Sequence, residues 1–230
     1  MASPFAEAGY QALNLARQEH LASLGLPIAG RTVLEVGAGV GDHTEFFNAR
    51  GCDITVTDAR PVNVAEIARR WSGLRALVAD VEDSSALIGW LFDIVYCYGV
   101  LYHTGDPVAA IENLSRWSGD LLLLETCVSK RDGIALDSRE EDAADPRNSP
   151  SGSGCLPSRA WLFDSLSGCF EYVYIPVTQP DHPEFPLDWP PSSDGLTRAV
   201  FVASRRPIDN PMLTETLPSH YEPMRARADA

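Results

Sequence analysis

What this chain lacks narrows its function before any motif is read. No apolar run reaches the ~20 residues that a membrane-spanning helix requires. The first residues show no basic segment leading into an apolar one, so no secretory leader is expected and the cytoplasm is the expected compartment. Cysteine is sparse: Cys52, Cys97, Cys127, Cys155 and Cys169 make five, an odd number, and no two stand at zinc-ligand spacing. Reduced thiols are expected, those near strands acting as small hydrophobes, with no metal site. Positive charge is short as well, with 18 Lys and Arg against 32 Asp and Glu and a net charge of −14. Such a surface repels phosphate backbones, and there is no Lys/Arg-rich patch, so a nucleic-acid partner is disfavoured.

What is present is a regular alternation of short apolar runs and helical patterns. At 230 residues the chain can bury the core of one α/β domain. A leading helix is expected over 6–24, with Leu13, Leu15 and Ala16 apolar and Gly25 and Pro27 closing it. Strands are expected over 31–36, 53–57, 74–79, 92–98, 121–124, 172–177 and 198–203. Helices are expected over 42–50, 62–71, 107–117 and 158–166, with Val64, Ile67 and Ala68 at helical spacing in the second of these. Strand–helix alternation predicts a doubly wound, mostly parallel sheet whose site lies at the carboxyl ends of the strands.

Chemistry-bearing residues gather at those ends. The first strand runs into Glu35-Val-Gly37-Ala38-Gly39-Val-Gly41-Asp42, a glycine turn that lets a ligand approach the backbone. A dinucleotide fingerprint would need a third glycine where Asp42 stands, and a carboxylate there repels pyrophosphate, so a nicotinamide-dependent oxidoreductase is disfavoured. Glu35 lies in an otherwise apolar strand, a costly place unless it meets polar loop backbone, a structural network or a ligand cation. Asp58 ends the second strand about twenty residues after the turn, where an acid accepts ribose hydroxyls; the plainer role is a helix cap. Asp80 ends the third strand, and its plainer role is also a cap, a post that Asp83 fills more naturally. The segment Phe92-Asp-Ile-Val-Tyr-Cys-Tyr98-Gly99-Val-Leu-Tyr-His103-Thr-Gly-Asp-Pro107 carries a strand into a loop and then a helix.

The spacing Glu-x-Gly-x-Gly-x-Gly resembles the first motif of the class I S-adenosylmethionine-dependent methyltransferase superfamily. The segment 92–107 is similar to that superfamily's fourth-strand motif, in the form with Leu-Tyr-His before Asp-Pro. With Asp58 and Asp80 the resemblance covers about residues 30–130. It implies a Rossmann-like α/β fold with a seven-stranded, mostly parallel sheet, the last strand antiparallel beside the sixth, and helices on both faces. It implies S-adenosyl-L-methionine as cofactor and SN2 transfer of methyl to an acceptor. Carried onto this chain, the cofactor-binding residues would be Glu35, Gly37, Ala38, Gly39, Gly41, Thr44, Asp58, Ala59, Asp80, Val81, Tyr98 and Gly99. Asp80 would receive the adenine amine, with a neighbouring backbone amide on the ring. His103 stands in the loop over the reacting centre, either as the base that takes the acceptor's proton or as a packing residue. Placement in line with the sulfonium can suffice without a base. His43 reads as a helix-terminus or cofactor-loop residue, and Tyr102 as facing substrate or packing.

The remaining segments read as one domain over 1–230: an N-terminal helix (1–29), a cofactor-binding core (30–128), a lid loop (129–157), C-terminal strands (158–206) and an irregular tail (207–230). The 129–157 stretch is charged, then rich in Ser, Gly and Pro, and leaves the fifth strand's carboxyl end. Near it, Glu125 and Thr126 are candidates to contact substrate, and Arg139, Arg147 and Arg159 to hold an anion. A proline-rich insertion over 179–194 offers Phe185 and Trp189 as apolar anchors, while Asp181 and His182 have no partner at metal-ligand spacing. The tail either wraps the domain, meets a second copy in a homodimer, or is partly disordered. The expected function is methylation of a small molecule, with O or N favoured. A tRNA or protein methyltransferase, or a non-catalytic cofactor-binding subunit, stays open.

Overall fold

The computed structural model describes residues 4–192 and 194–224. In chain order the elements are α1 (Ala8–Ser23), β1 (Thr32–Val36), α2 (Thr44–Asn48), β2 (Asp53–Asp58), α3 (Pro61–Arg70), β3 (Arg75–Val78), β4 (Phe92–Tyr98), α4 (Pro107–Trp117), β5 (Ser118–Cys127), β6 (Leu136–Glu140), β7 (Ser153–Pro157), α5 (Arg159–Ser167), β8 (Tyr172–Pro176), β9 (Arg198–Ser204) and β10 (Leu213–Thr214).

The main sheet runs β10-β8-β9-β5-β4-β1-β2-β3. From β5 through β4, β1 and β2 to β3 every pairing is parallel, so the carboxyl ends of these strands open on one edge. β9 enters antiparallel between β5 and β8, as expected. The sheet has eight strands among the described residues rather than seven, because tail residues Leu213 and Thr214 add an antiparallel edge to β8. Leu121–Leu124 are buried on both faces, which is why that run is continuously apolar instead of alternating.

Several boundaries and faces depart from expectation. Asp42 does not open α2; it accepts from Gln11 and pairs with Arg70, and the helix is only five residues, Thr44–Asn48. In α1 the buried stripe holds Leu13, Ala16 and Leu21 with Asn14, Arg17 and His20, and leaves Leu15 exposed. In α3, Ile67 is buried and Ala68 exposed, because the helix turns Asn63 inward to meet Asp58. Where local caps are strong the boundaries agree: Asp106 accepts from Ala109 N–H ahead of Pro107, and Ser158 accepts from Trp161 N–H.

The 129–157 stretch is not a plain loop. β6 and β7 pair as an antiparallel hairpin from Leu136↔Pro157 to Glu140↔Ser153, and its tip spans 141–152. Residues 207–224 of the tail wrap the domain: Asn210 Nδ2 donates to Leu24 O, and Tyr221 is buried against Arg159. Residues 225–230 of the tail, and Ser193 of the proline-rich insertion, lie outside the described residues. All five cysteines are free, and among the described residues no helix is long and apolar enough to cross a membrane.

Candidate active site

The glycine turn is fixed by backbone geometry and close packing. Gly37 and Gly39 have φ of 62° and 59°, a region costly for any residue with a Cβ. A Cβ on Gly37 would collide with Val100, and one on Gly39 would lie 2.8 Å from the Phe5 ring. The turn is anchored to β2: Gly39 N–H donates to Asp58 Oδ2 at 2.9 Å and Ala38 N–H to Thr57 O at 3.0 Å. The other oxygen of Asp58 accepts from Arg60 N–H (2.8 Å) and Asn63 Nδ2 (3.1 Å). Burial lifts the Asp58 carboxyl above its ordinary range, against the pull of these donors.

Two adjoining cavities open at the strand ends. The narrower, about 90 Å³, is walled by Gly37, Asp58, Ala59, Asp80, Val81 and Gly99, and closed by His103 and residues 146–150 of the hairpin tip. The wider, about 360 Å³, lies against Glu35, Gly37, Ala38, Gly39, Asp58, Tyr98, Gly99 and His103. Its far side is Tyr10, Arg17, Tyr102, Arg139, Glu184 and Arg198. Eleven of the thirteen predicted site residues therefore line one cavity or both. The other two, Gly41 and Thr44, line neither. Gly41 packs beside Trp71, and Thr44 stands behind Glu35, donating its hydroxyl to Oε2 at 2.7 Å.

Glu35 is 1% exposed, and its Oε1 has no hydrogen-bond partner among the described residues. Burial pushes its carboxyl up to about 8, which the Thr44 hydrogen bond only partly offsets. His43 lines the wider cavity, held between Asn14 Oδ1 (3.1 Å) and the Tyr96 hydroxyl (3.0 Å); burial lowers its pKa to about 3, so it is neutral. The Tyr98 hydroxyl is buried without a partner among the described residues. Asp80 is exposed and accepts from Glu82 N–H at 2.9 Å.

Other candidates sit elsewhere. Glu125 lines neither cavity: it is fully buried between Arg17 (2.6 Å) and Arg198 (3.1 Å), and Arg198 also pairs with Glu184. Thr126 is buried and lines neither cavity. Arg159 is spent on structure, donating to Pro218 O and the Tyr221 hydroxyl and lying over the Trp189 ring at 3.8 Å. Arg147 lines both cavities, paired with Asp145 and Glu7, and Arg139 borders the wider one. Among the described residues no three His, Cys, Asp or Glu side chains gather as a metal site would need.

Two contributors escaped the sequence reading. Glu141, on the hairpin tip, lies 2.7 Å through Oε2 from His103 Nδ1. Its position carries no local signal. Arg17 did leave one: an arginine four residues after Leu13 and four before Leu21, on a helix's apolar stripe, needs a buried partner.

A family described as a methyltransferase domain matches residues 34–119, which hold the glycine turn, Asp58, Asp80 and the fourth-strand motif. Over those residues the chain is similar to that methyltransferase family. Among curated proteins it is 38% identical over 104 residues to a ubiquinone biosynthesis O-methyltransferase of Xanthomonas euvesicatoria, covering 44% of this chain and 43% of that protein. The chain thus spans less than half the length of such relatives. Among solved structures, the N-terminal domain of EvdMO1 with S-adenosylhomocysteine bound superposes with a TM-score of 0.63 at 23% identity, covering 84% of this chain and 81% of that one. The 1,6-didemethyltoxoflavin-N1-methyltransferase of Burkholderia thailandensis gives 0.54 at 21% identity, with 86% and 79% covered. These likenesses show the fold, which is Rossmann-like with helices on both faces of the sheet.

Proposed function

We propose that this chain binds S-adenosyl-L-methionine and methylates a small molecule at O or N. The observation that carries the reading is Glu35: a fully buried carboxyl with one oxygen satisfied by Thr44 and the other with no donor among the described residues, bordering the wider cavity. A buried acid in that state calls for a cation, and the cofactor's amino-acid end supplies an ammonium. The rest of the lining suits the same ligand. Asp58 keeps one lone pair, on Oδ2, for a ribose hydroxyl beyond the three its protein donors use, and Asp80 with the Val81 amide would meet adenine. Gly37, Ala38, Gly39, Ala59, Tyr98 and Gly99 would wall the site, with Thr44 and Gly41 shaping it from behind.

Bound there, the cofactor supplies an electrophilic methyl on sulfur. The chain's own work is to hold the acceptor in line with that methyl, to exclude water, and to take the acceptor's proton at His103, which borders both cavities. A cleft of about 360 Å³ roofed by a hairpin suits a small acceptor, and the acidic balance of −14 favours it over a polynucleotide. O- and N-methylation are the reactions in the names of the ubiquinone and toxoflavin relatives. The segments act as one domain, and the free thiols suit the cytoplasm. A homodimer stays open, although residues 207–224 of the tail pack on their own domain.

Titration calorimetry tests the reading directly. S-adenosylmethionine and S-adenosylhomocysteine should both bind, and Glu35→Gln should weaken both. No heat with either form would overturn the proposal.

A further inference from the structure

Glu141 lies beyond the matched family region, on the hairpin tip, yet it is hydrogen-bonded to His103. Its side chain is 1% exposed. Oε2 accepts from Ser149 N–H at 3.0 Å and lies 2.7 Å from His103 Nδ1; Arg139 Nε approaches Oε1 at 3.6 Å. Burial works against ionisation here, but the hydrogen bonds from His103 and Ser149 outweigh it and hold the carboxyl below its ordinary range. An ionised carboxylate only accepts, so the hydrogen between the two residues sits on Nδ1, and Nε2 is the ring nitrogen with the free lone pair.

The docking of the hairpin against the Leu101–His103 turn is specific. A Cβ on Gly154 of β7 would fall 2.7 Å from Tyr102 O and 3.0 Å from Glu141 Cδ, so the close approach depends on glycine there. Cys155 Sγ donates to Leu101 O at 3.3 Å. The far side of the tip is latched by Arg60 Nη2, which donates to Ala143 O (2.9 Å) and Asn148 O (3.0 Å).

We propose that the hairpin is what makes His103 a base. Glu141, brought across the cleft by β6 and β7, fixes the imidazole as its Nδ1–H tautomer, so that Nε2 can take the proton of an acceptor hydroxyl. This rests on the methyltransferase reading above and narrows it to O-methylation. As the acceptor oxygen bonds to the methyl carbon, its proton passes to Nε2, the carbon–sulfur bond breaks, and its electron pair stays on sulfur as a neutral thioether. The imidazolium so formed faces the Glu141 carboxylate, which stabilises it. A phenol or alcohol must give up its proton as it is methylated and so gains from such a base, whereas an amine already free of its proton or a thiolate does not. Glu141 is a positioning residue: it acts through His103.

Imidazole ¹⁵N spectra of the full chain, with and without S-adenosylhomocysteine, test this, with H103N assigning the resonance. The neutral His103 imidazole should be the Nδ1–H tautomer. E141A should abolish that preference. E141Q should keep it, because the oxygen that accepts from Ser149 N–H still faces Nδ1. A wild-type Nε2–H tautomer, no change in E141A, or loss in E141Q would each overturn the proposal. Calorimetry separates the two readings. Absent binding of S-adenosylhomocysteine with the expected tautomer removes the cofactor assignment alone; binding with the opposite tautomer removes the dyad alone.

Discussion

The carboxyl ends of β1 and β5 each carry a glutamate with almost no solvent exposure, and the fold treats them in opposite ways. At β5, Glu125 lies between Arg17 and Arg198, both oxygens paired. At β1, Glu35 has a single hydroxyl donor and an oxygen with none among the described residues. Burying an ion is tolerable only with partners, so the first is a finished structural joint and the second is half of an interaction. The difference separates an acid that holds the protein together from one kept for a ligand, a distinction that burial alone does not make.

Breaking the finished joint should have the largest effect. Glu125→Ala leaves two arginines buried without their shared carboxylate, and urea denaturation should show a loss of about 3–5 kcal/mol. Glu35→Gln tests the other acid. It should weaken S-adenosylhomocysteine by roughly 10- to 100-fold, the worth of about 1.5–3 kcal/mol for a charge-assisted hydrogen bond.

The same substitution should act oppositely on the unliganded chain. Burial holds the Glu35 carboxyl up at about 8, so folding favours its protonated form. Stability from this group is full below the ordinary carboxylate range and is lost as pH rises through 8. Melting curves of the free protein should therefore decline from pH 5 to 9, and less steeply in Glu35→Gln. A cation that takes up the orphan oxygen should expel the proton, making the binding heat near pH 7 depend on the buffer's ionisation enthalpy.

The acid side has its own limb. Burial drops His20 to about 4 and His43 to about 3, so their contributions are present above the ordinary histidine value and lost as pH falls toward 4 and 3. His20→Gln should flatten that limb in acid unfolding. The smallest effect expected is kinetic. Arg60→Ala removes the latch on the hairpin tip and should speed S-adenosylhomocysteine release a few-fold in stopped flow.

The parallel half of the sheet was legible because each of its signals is local. The glycine turn, the acid ending β2, the acid two residues past β3, and Pro107 behind Asp106 announce themselves within a few residues. The hairpin was not. β6 and β7 are short, polar and separated by the tip, and what holds them is a pairing that no window of sequence contains. Glu141 was hidden for the same reason, being one acid among several until the hairpin closes. Glu125 was noticed but misassigned, because a buried acid looks alike from sequence whether a ligand or two distant arginines await it. The tail concealed β10 because a two-residue edge strand leaves no periodicity.

The placement of β9 has a consequence for how the chain is made. β5 pairs with β4 on one side, but its other edge is covered only when Arg198–Ser204 arrives antiparallel beside it. On a ribosome, Leu121–Leu124 emerge well before that partner and present an open apolar edge meanwhile, the kind of surface that recruits other chains. Fragments ending between the hairpin and β9 should accumulate as aggregates, while the full chain, its last central strand in place, stays dispersed.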